Sequence, residues 1–176
     1  MKKWLVTVMA IFVLAACGDN EKEESLENLQ KTIDDGTVGF EILGGKIQEA
    51  TGVPEDEEAK LLKVFNEYIN ASNDKDIDRY METISKNAKG LDYEEDKKNT
   101  METFETYNVV RKAEDIAIIK YSEDEAHIYA NITIDATEIE SGIGYQSKVT
   151  QVTLFIKEND DWKISGINGM MNTEEE

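Results

Sequence analysis

The hydrophobic period of this chain changes once, near residue 107, and that change constrains the fold more than any other feature. Before it, apolar residues recur at helical spacing. Leu61, Leu62, Phe65, Tyr68 and Ile69 make one stripe, and Ile77, Tyr80, Met81 and Ile84 make a shorter one. A third helical stretch runs from about Tyr93 to Tyr107 and is predicted to turn Met101, Phe104 and Tyr107 inward. After it the period is two. Val109 to Tyr121, Ala126 to Ile139, Tyr145 to Lys157 and Trp162 to Ile167 read as strands, parted by polar or glycine-bearing turns. Helices first and then an antiparallel meander is the signature of an α+β domain.

The punctuation agrees with that division. Pro54, the only proline, suits a first helical turn, and Glu55 to Glu58 complement the positive end of the helix dipole. Ser72 to Asp76 ends the first helix. Asp74, Asp76 and Asp78 have the alternation of a calcium loop, but Arg79 stands where the loop needs glycine and Ser85 where it needs glutamate. Asp76 or Asp74 therefore reads as a helix N-cap. In the second strand Ala126, Ile128, Ala130, Ile132 and Ile134 share one face, while His127, Tyr129, Asn131, Thr133 and Asp135 share the other. One face on a core and one wetter face is the expectation. His127 then belongs to a surface or dimer face. Tyr129, Asn131, Thr133, Gln151 and Thr153 are expected to form a polar sheet face suited to a homodimer.

The amino terminus has a different logic. Lys2 and Lys3 precede an apolar run from Trp4 to Val13, too short to be a comfortable membrane span, and Leu14-Ala15-Ala16-Cys17 follows. This stretch resembles the lipobox of bacterial lipoproteins. The resemblance implies cleavage before Cys17, diacylglycerol on its thiol and a membrane partner at the extracytoplasmic face. Cys17 is the only cysteine, so no intramolecular disulfide can form. The chain carries 19 basic against 38 acidic residues. So acidic a balance argues against nucleic acid and against lying flat on an anionic membrane.

The long helix from Glu57 to Asn73, the Asn73-Asp74-Lys75-Asp76 break and the closing hairpin from Val152 to Ile164 together resemble the nuclear transport factor 2-like superfamily, which includes ketosteroid isomerase and SnoaL-like proteins. The resemblance implies a cone, with a bent four-stranded sheet wrapped around the first helix and a pocket at the wide end. The expected organisation is a signal peptide over 1–16, a partly ordered acidic linker over 17–56, the cone domain over 57–168 and an acidic tail over 169–176. Phe40, Ile42, Leu43 and Ile47 are too apolar for pure linker and should pack on the domain or on a partner.

Chemistry is sparse. One histidine and one cysteine cannot make a zinc cluster, Gly142 and Gly144 lack the spacing of a phosphate loop, and no serine sits in a nucleophile elbow. No catalytic residue, metal or cofactor is assigned. Tyr68, Tyr80, Phe104 and Tyr107, aromatic residues of the helical inner faces, are the candidates for a pocket lining. The expected function is a lipid-anchored binding module for an envelope protein partner or a small apolar ligand. The alternatives are a lyase or isomerase with its pocket inside the cone, or a non-catalytic envelope spacer.

Overall fold

The computed structural model describes residues 47–171. Within them lie the helices α1 (Glu55–Asn73), α2 (Ile77–Thr83) and α3 (Tyr93–Thr106). The strands β1 (Tyr107–Tyr121), β2 (Glu125–Glu138), β3 (Gly144–Glu158) and β4 (Asp161–Met171) follow. They form one antiparallel sheet in sequence order. The α+β architecture expected from the change of period is the one observed. β4 runs four residues beyond Ile167, because Asn168 to Met171 still pair with Val152 to Val149.

The helix stripes are the core. Leu61, Phe65, Tyr68 and Ile69 of α1, with Tyr80 and Met81 of α2, are buried against Ile118, Ile128, Ile132, Phe155 and Ile164 on the concave face of the sheet. Burying side chains of this size is worth roughly 1.5–3 kcal/mol each. Pro54 stands at the N-cap of α1 rather than in its first turn, and Glu55 to Glu58 fill that turn. Lys75, at φ 56°, breaks the path between α1 and α2. Asp76 then caps α2 by accepting from the Arg79 N–H at 3.1 Å.

Three expectations fail. Met101 is 42% exposed and no residue of α3 is fully buried, so this helix lies on the rim rather than in the core. Gln151 and Thr153 are not on the polar outer face. Opposite Ala130 and Ile128 they point inward, where the Gln151 amide donates to Thr153 Oγ1 at 2.9 Å. Val152 and Leu154 are turned outward instead.

His127 is also not a surface residue. It is 2% exposed, on an outer face that holds a second apolar cluster of Ala117, Ile119, Tyr129 and Val152. Ile47, ahead of the helices, packs on that cluster, as expected of an apolar residue in the leading segment. Burial lowers the His127 pKa below its ordinary value. The ring is therefore neutral at pH 7, with Nε2 2.8 Å from Glu125 Oε1.

Both sheet edges are blunted. Ala50 donates to the Ile118 carbonyl at 2.7 Å on β1, and Ser85 donates to the Ile164 carbonyl at 2.8 Å on β4. Each bond occupies one position of an edge that would otherwise be open to another chain.

A buried carboxylate ties the start of α1 to the β3–β4 hairpin. Glu57, in the first turn of α1, accepts from Trp162 Nε1 at 2.7 Å and from Lys157 Nζ at 3.0 Å on one oxygen. Its other oxygen accepts from Lys60 Nζ at 2.8 Å. Lys60 first, then Lys157, with Trp162 adding to them, hold its pKa down at about 2 against the cost of burial. Replacing Glu57 by alanine leaves the buried Trp162 N–H without an acceptor and should cost about 1–3 kcal/mol, read as a lower urea midpoint. Glu57→Gln keeps an oxygen for Trp162 and should cost less. Because the folded pKa lies below the ordinary 4.5, the carboxylate stabilises fully above about pH 4.5 and loses that contribution as pH falls towards 2. Wild type should therefore lose stability faster than Glu57→Gln across that window. Parallel acid-unfolding curves would contradict the assignment.

Candidate functional site

The wide end is where side chains with chemistry converge, and β1 brings the most important one. Tyr107, Val109, Arg111 and Ala113 alternate on the concave parity of the strand, so a guanidinium enters a face otherwise apolar or aromatic. Asn73, the last residue of α1, fixes its backbone. The Asn73 side-chain amide donates to the Arg111 carbonyl at 2.9 Å and accepts from the Arg111 N–H at 2.7 Å. A side chain thus does for the β1 edge what a neighbouring strand would do. The Arg111 guanidinium in turn donates from Nη1 to the Tyr68 hydroxyl at 2.9 Å.

Helices supply the rest. The rings of Tyr68 and Tyr80 lie 5.4 Å apart, and Phe104 meets Tyr80 edge-on at 6.4 Å. Three of the four predicted lining residues, Tyr68, Tyr80 and Phe104, are therefore brought together, the two tyrosines deeply buried and Phe104 half-buried. Asp96, Thr100 and Phe104 share one face of α3 at spacings of four. Asp96 and Thr100 both lie near enough to the Tyr80 hydroxyl to influence it electrostatically.

Burial raises the Asp96 pKa, with the nearby Tyr80 hydroxyl and the Arg111 charge opposing it. Burial likewise raises that of Tyr80, which stays a neutral phenol. The neighbouring Tyr68, above all, holds Arg111 higher still. Two polar atoms in this group are buried and find no hydrogen-bond partner among the described residues: Arg111 Nε and Asp96 Oδ2. Buried polar atoms are nearly always paired, so two orphans in one cluster mark it out.

Tyr107, the fourth predicted residue, is not in this group. Its ring meets Tyr145 edge-on at 6.2 Å, nearer the mouth. The register shows how the two groups adjoin. Arg111, Ile134 and Ser147 form one row across the concave face, and Val109, Ala136 and Tyr145 form the next row outward. Tyr145 is 56% exposed and Ile143 is 69% exposed. Exposed apolar surface therefore lies on the same concave face as the orphan pair.

Two cavities lie elsewhere. One of about 320 Å³ is walled by Lys60, Glu67, Thr83, Asp161 and Lys163, and one of about 210 Å³ by Glu49, Val53, Glu58 and Ile116. Neither is walled by Tyr68, Tyr80, Asp96 or Arg111.

Sequence reasoning missed Arg111, Asp96 and Tyr145. The signal was present in a charge at an inward strand position and in a carboxylate eight residues before Phe104 on the same helix face. Cys17, the predicted lipidation site, lies outside the described residues, as do Phe40, Ile42 and Leu43.

The sequence matches the family described as anti-sigma-I factor RsgI9, C-terminal domain, over residues 63–175. No curated protein matches it. Solved structures are similar to the cone. An aromatic ring hydroxylase candidate from Novosphingobium aromaticivorans has a TM-score of 0.64 at 12% identity, covering 69% of this chain and 93% of that one. A dehydratase candidate of the NTF2-like family from Streptomyces avermitilis has 0.61 at 11%, covering 69% and 100%. A ketosteroid isomerase-like protein from Erwinia carotovora atroseptica has 0.57 at 16%, covering 69% and 100%. At these identities the likeness shows the fold, which is NTF2-like.

The Arg111 charge holds the buried Asp96 carboxyl down. In Arg111→Gln the Asp96 pKa should therefore rise further, measured by carboxyl carbon NMR across pH. An unchanged or lower value would contradict the proposed electrostatic coupling.

Proposed function

The chain belongs to the family of anti-sigma-I factor RsgI9 C-terminal domains, and on that premise we propose that it is an extracytoplasmic binding domain, lipid-anchored through Cys17, that captures its ligand at the mouth of the cone. The observation that carries this reading is the concave face itself. Tyr145 and Ile143 are exposed there, beside Tyr107, on the same face as a buried polar pair. Exposed apolar surface with a few polar groups is the usual make-up of a binding site. A domain named for an anti-sigma factor also suits reception of a signal better than turnover of a substrate. An envelope protein partner and a homodimer through the outer face around Asn131 and Thr133 belong to the same reading.

One observation favours an enzyme instead. Asp96 has a raised pKa and an unpartnered Oδ2, the properties of a general base in a lyase or isomerase. Arg111 cannot serve as that base, because a guanidinium does not give up its proton in a protein.

Two measurements test the reading. Titrating a library of small organic molecules into the isotope-labelled mature chain should perturb resonances of Tyr107, Arg111 and Tyr145. Perturbations confined to the groove between Lys60 and Lys163 would remove the mouth as the site. In cells, the wild-type chain should partition into detergent in a Triton X-114 separation, and Cys17→Ala should move it to the aqueous phase. A wild type already in the aqueous phase refutes the lipid anchor.

A further inference from the structure

The outer face of the sheet is buried further than the described residues around it explain. Leu61, Phe65, Tyr80 and Met81 turn α1 and α2 to the concave face, and no described helix packs on the other. Yet Ala117, Ile119, His127, Tyr129 and Val152 are all buried there. Among the described residues, Ile47 alone reaches this cluster from outside the sheet. Ile119, Tyr129 and Val152 stand on three neighbouring strands, which span roughly 10 Å. One isoleucine side chain does not cover that width. The burial is also local. Along the same face of β2, Asn131, Thr133 and Asp135 are half-buried and Thr137 is exposed. A cover therefore lies over the His127 end and thins towards Thr137.

The path of the chain says what that cover is. Ahead of α1, Gly52 turns at φ 78°, and Ala50 donates to the Ile118 carbonyl on the open side of β1. Ala50 packs on the concave cluster, and Ile47, three residues earlier, packs on the outer one. Traced backwards, the chain thus rounds the β1 edge and arrives on the outer face among its buried residues. Residues 40–46, Phe-Glu-Ile-Leu-Gly-Gly-Lys, come next. Seven extended residues reach roughly 23 Å, whereas four strands are roughly 14 Å across. Phe40, Ile42 and Leu43 supply apolar surface of the kind that Tyr129 and Val152 require. The other end of the chain has none to give, since residues 172–176 are Asn-Thr-Glu-Glu-Glu. A second copy seated on this face would collide with Ile47 at the rows that are buried.

We infer that residues 40–46 lie across the outer face of the sheet and complete, within one chain, the cover that Ile47 begins. The apolar end of the face is then filled by the chain itself. A partner or a second copy finds only the more polar rows towards Thr137. The inference stands apart from whatever the mouth of the cone binds.

His127 is the only histidine, so its ring reports on the cover without ambiguity. Burial is the first cause of its lowered pKa, and the charged groups acting on it are Glu125 and Lys120. The variant Phe40→Ser/Ile42→Ser/Leu43→Ser leaves both in place. In full-length protein held in detergent, with folding checked by circular dichroism, it should raise the His127 pKa towards the ordinary 6.5, followed by NMR of the Hε1 resonance. An unchanged pKa overturns the inference. A second measurement keeps the native segment apart from one position. p-Benzoylphenylalanine is placed at Ile42 in an equal mixture of unlabelled and nitrogen-15 chains, and irradiation should join it to peptides bearing His127, Tyr129 or Val152 of the same isotope. Links between unlabelled and labelled chains put a second copy on the face and overturn the inference. Links to the concave face, or to no part of the sheet, overturn it as well.

Discussion

A single carboxylate ties the first helix of this domain to its closing hairpin. Glu57 sits where α1 begins, and its two oxygens take hydrogen bonds from the helix's own Lys60 and from Lys157 and Trp162 of the β3–β4 hairpin. The hairpin is thereby held over the first turn of the helix, and the Tyr121 and Trp162 rings pack together at the same end. A buried charge with three partners tolerates little displacement, because losing any one exposes the cost of its burial. The direction of α1 within the sheet follows from that attachment. Its last residue, Asn73, then arrives beside the middle of β1.

From there the geometry of the other end is determined. Asn73 clamps the backbone of Arg111 on both sides, so the guanidinium projects from a fixed point into the concave face. Tyr68, on the same helix, receives one of its N–H groups. α3 closes from the rim, setting Phe104 edge-on to the Tyr80 ring and Asp96 nearby. Asn73, Arg111 and Tyr68 thus form one chain of polar contacts running into the concave face. The aromatic residues at its mouth belong to the sheet alone, and the sheet's register sets their distance from Arg111.

Much of the fold is legible in the sequence because two periods do not mix. The stripe through Leu61, Phe65 and Tyr68 can serve only a helix, and the alternation from Ala126 to Ile134 can serve only a strand. The faces of β3 are less legible. Gln151, Thr153 and Phe155 alternate with Val152, Leu154 and Ile156, and both sets hold apolar residues. Only pairing with β2 shows that Thr153 lies opposite Ile128 in the core. His127 is misread for a related reason. Its face is covered in part by Ile47, a contact about 80 residues distant in sequence that no local pattern announces. The candidate site is legible in its aromatic half, since Tyr68, Tyr80 and Phe104 lie on inward helical faces. Its polar half depends on Asn73 meeting β1, which spacing alone does not reveal.

The most direct test is a high-resolution crystal structure of the protein purified from its own cells, read for density on the concave face. The account predicts density of a bound molecule lying against Tyr145 and Tyr107. Tyr107 and Tyr145 buried beneath another part of the chain would contradict it.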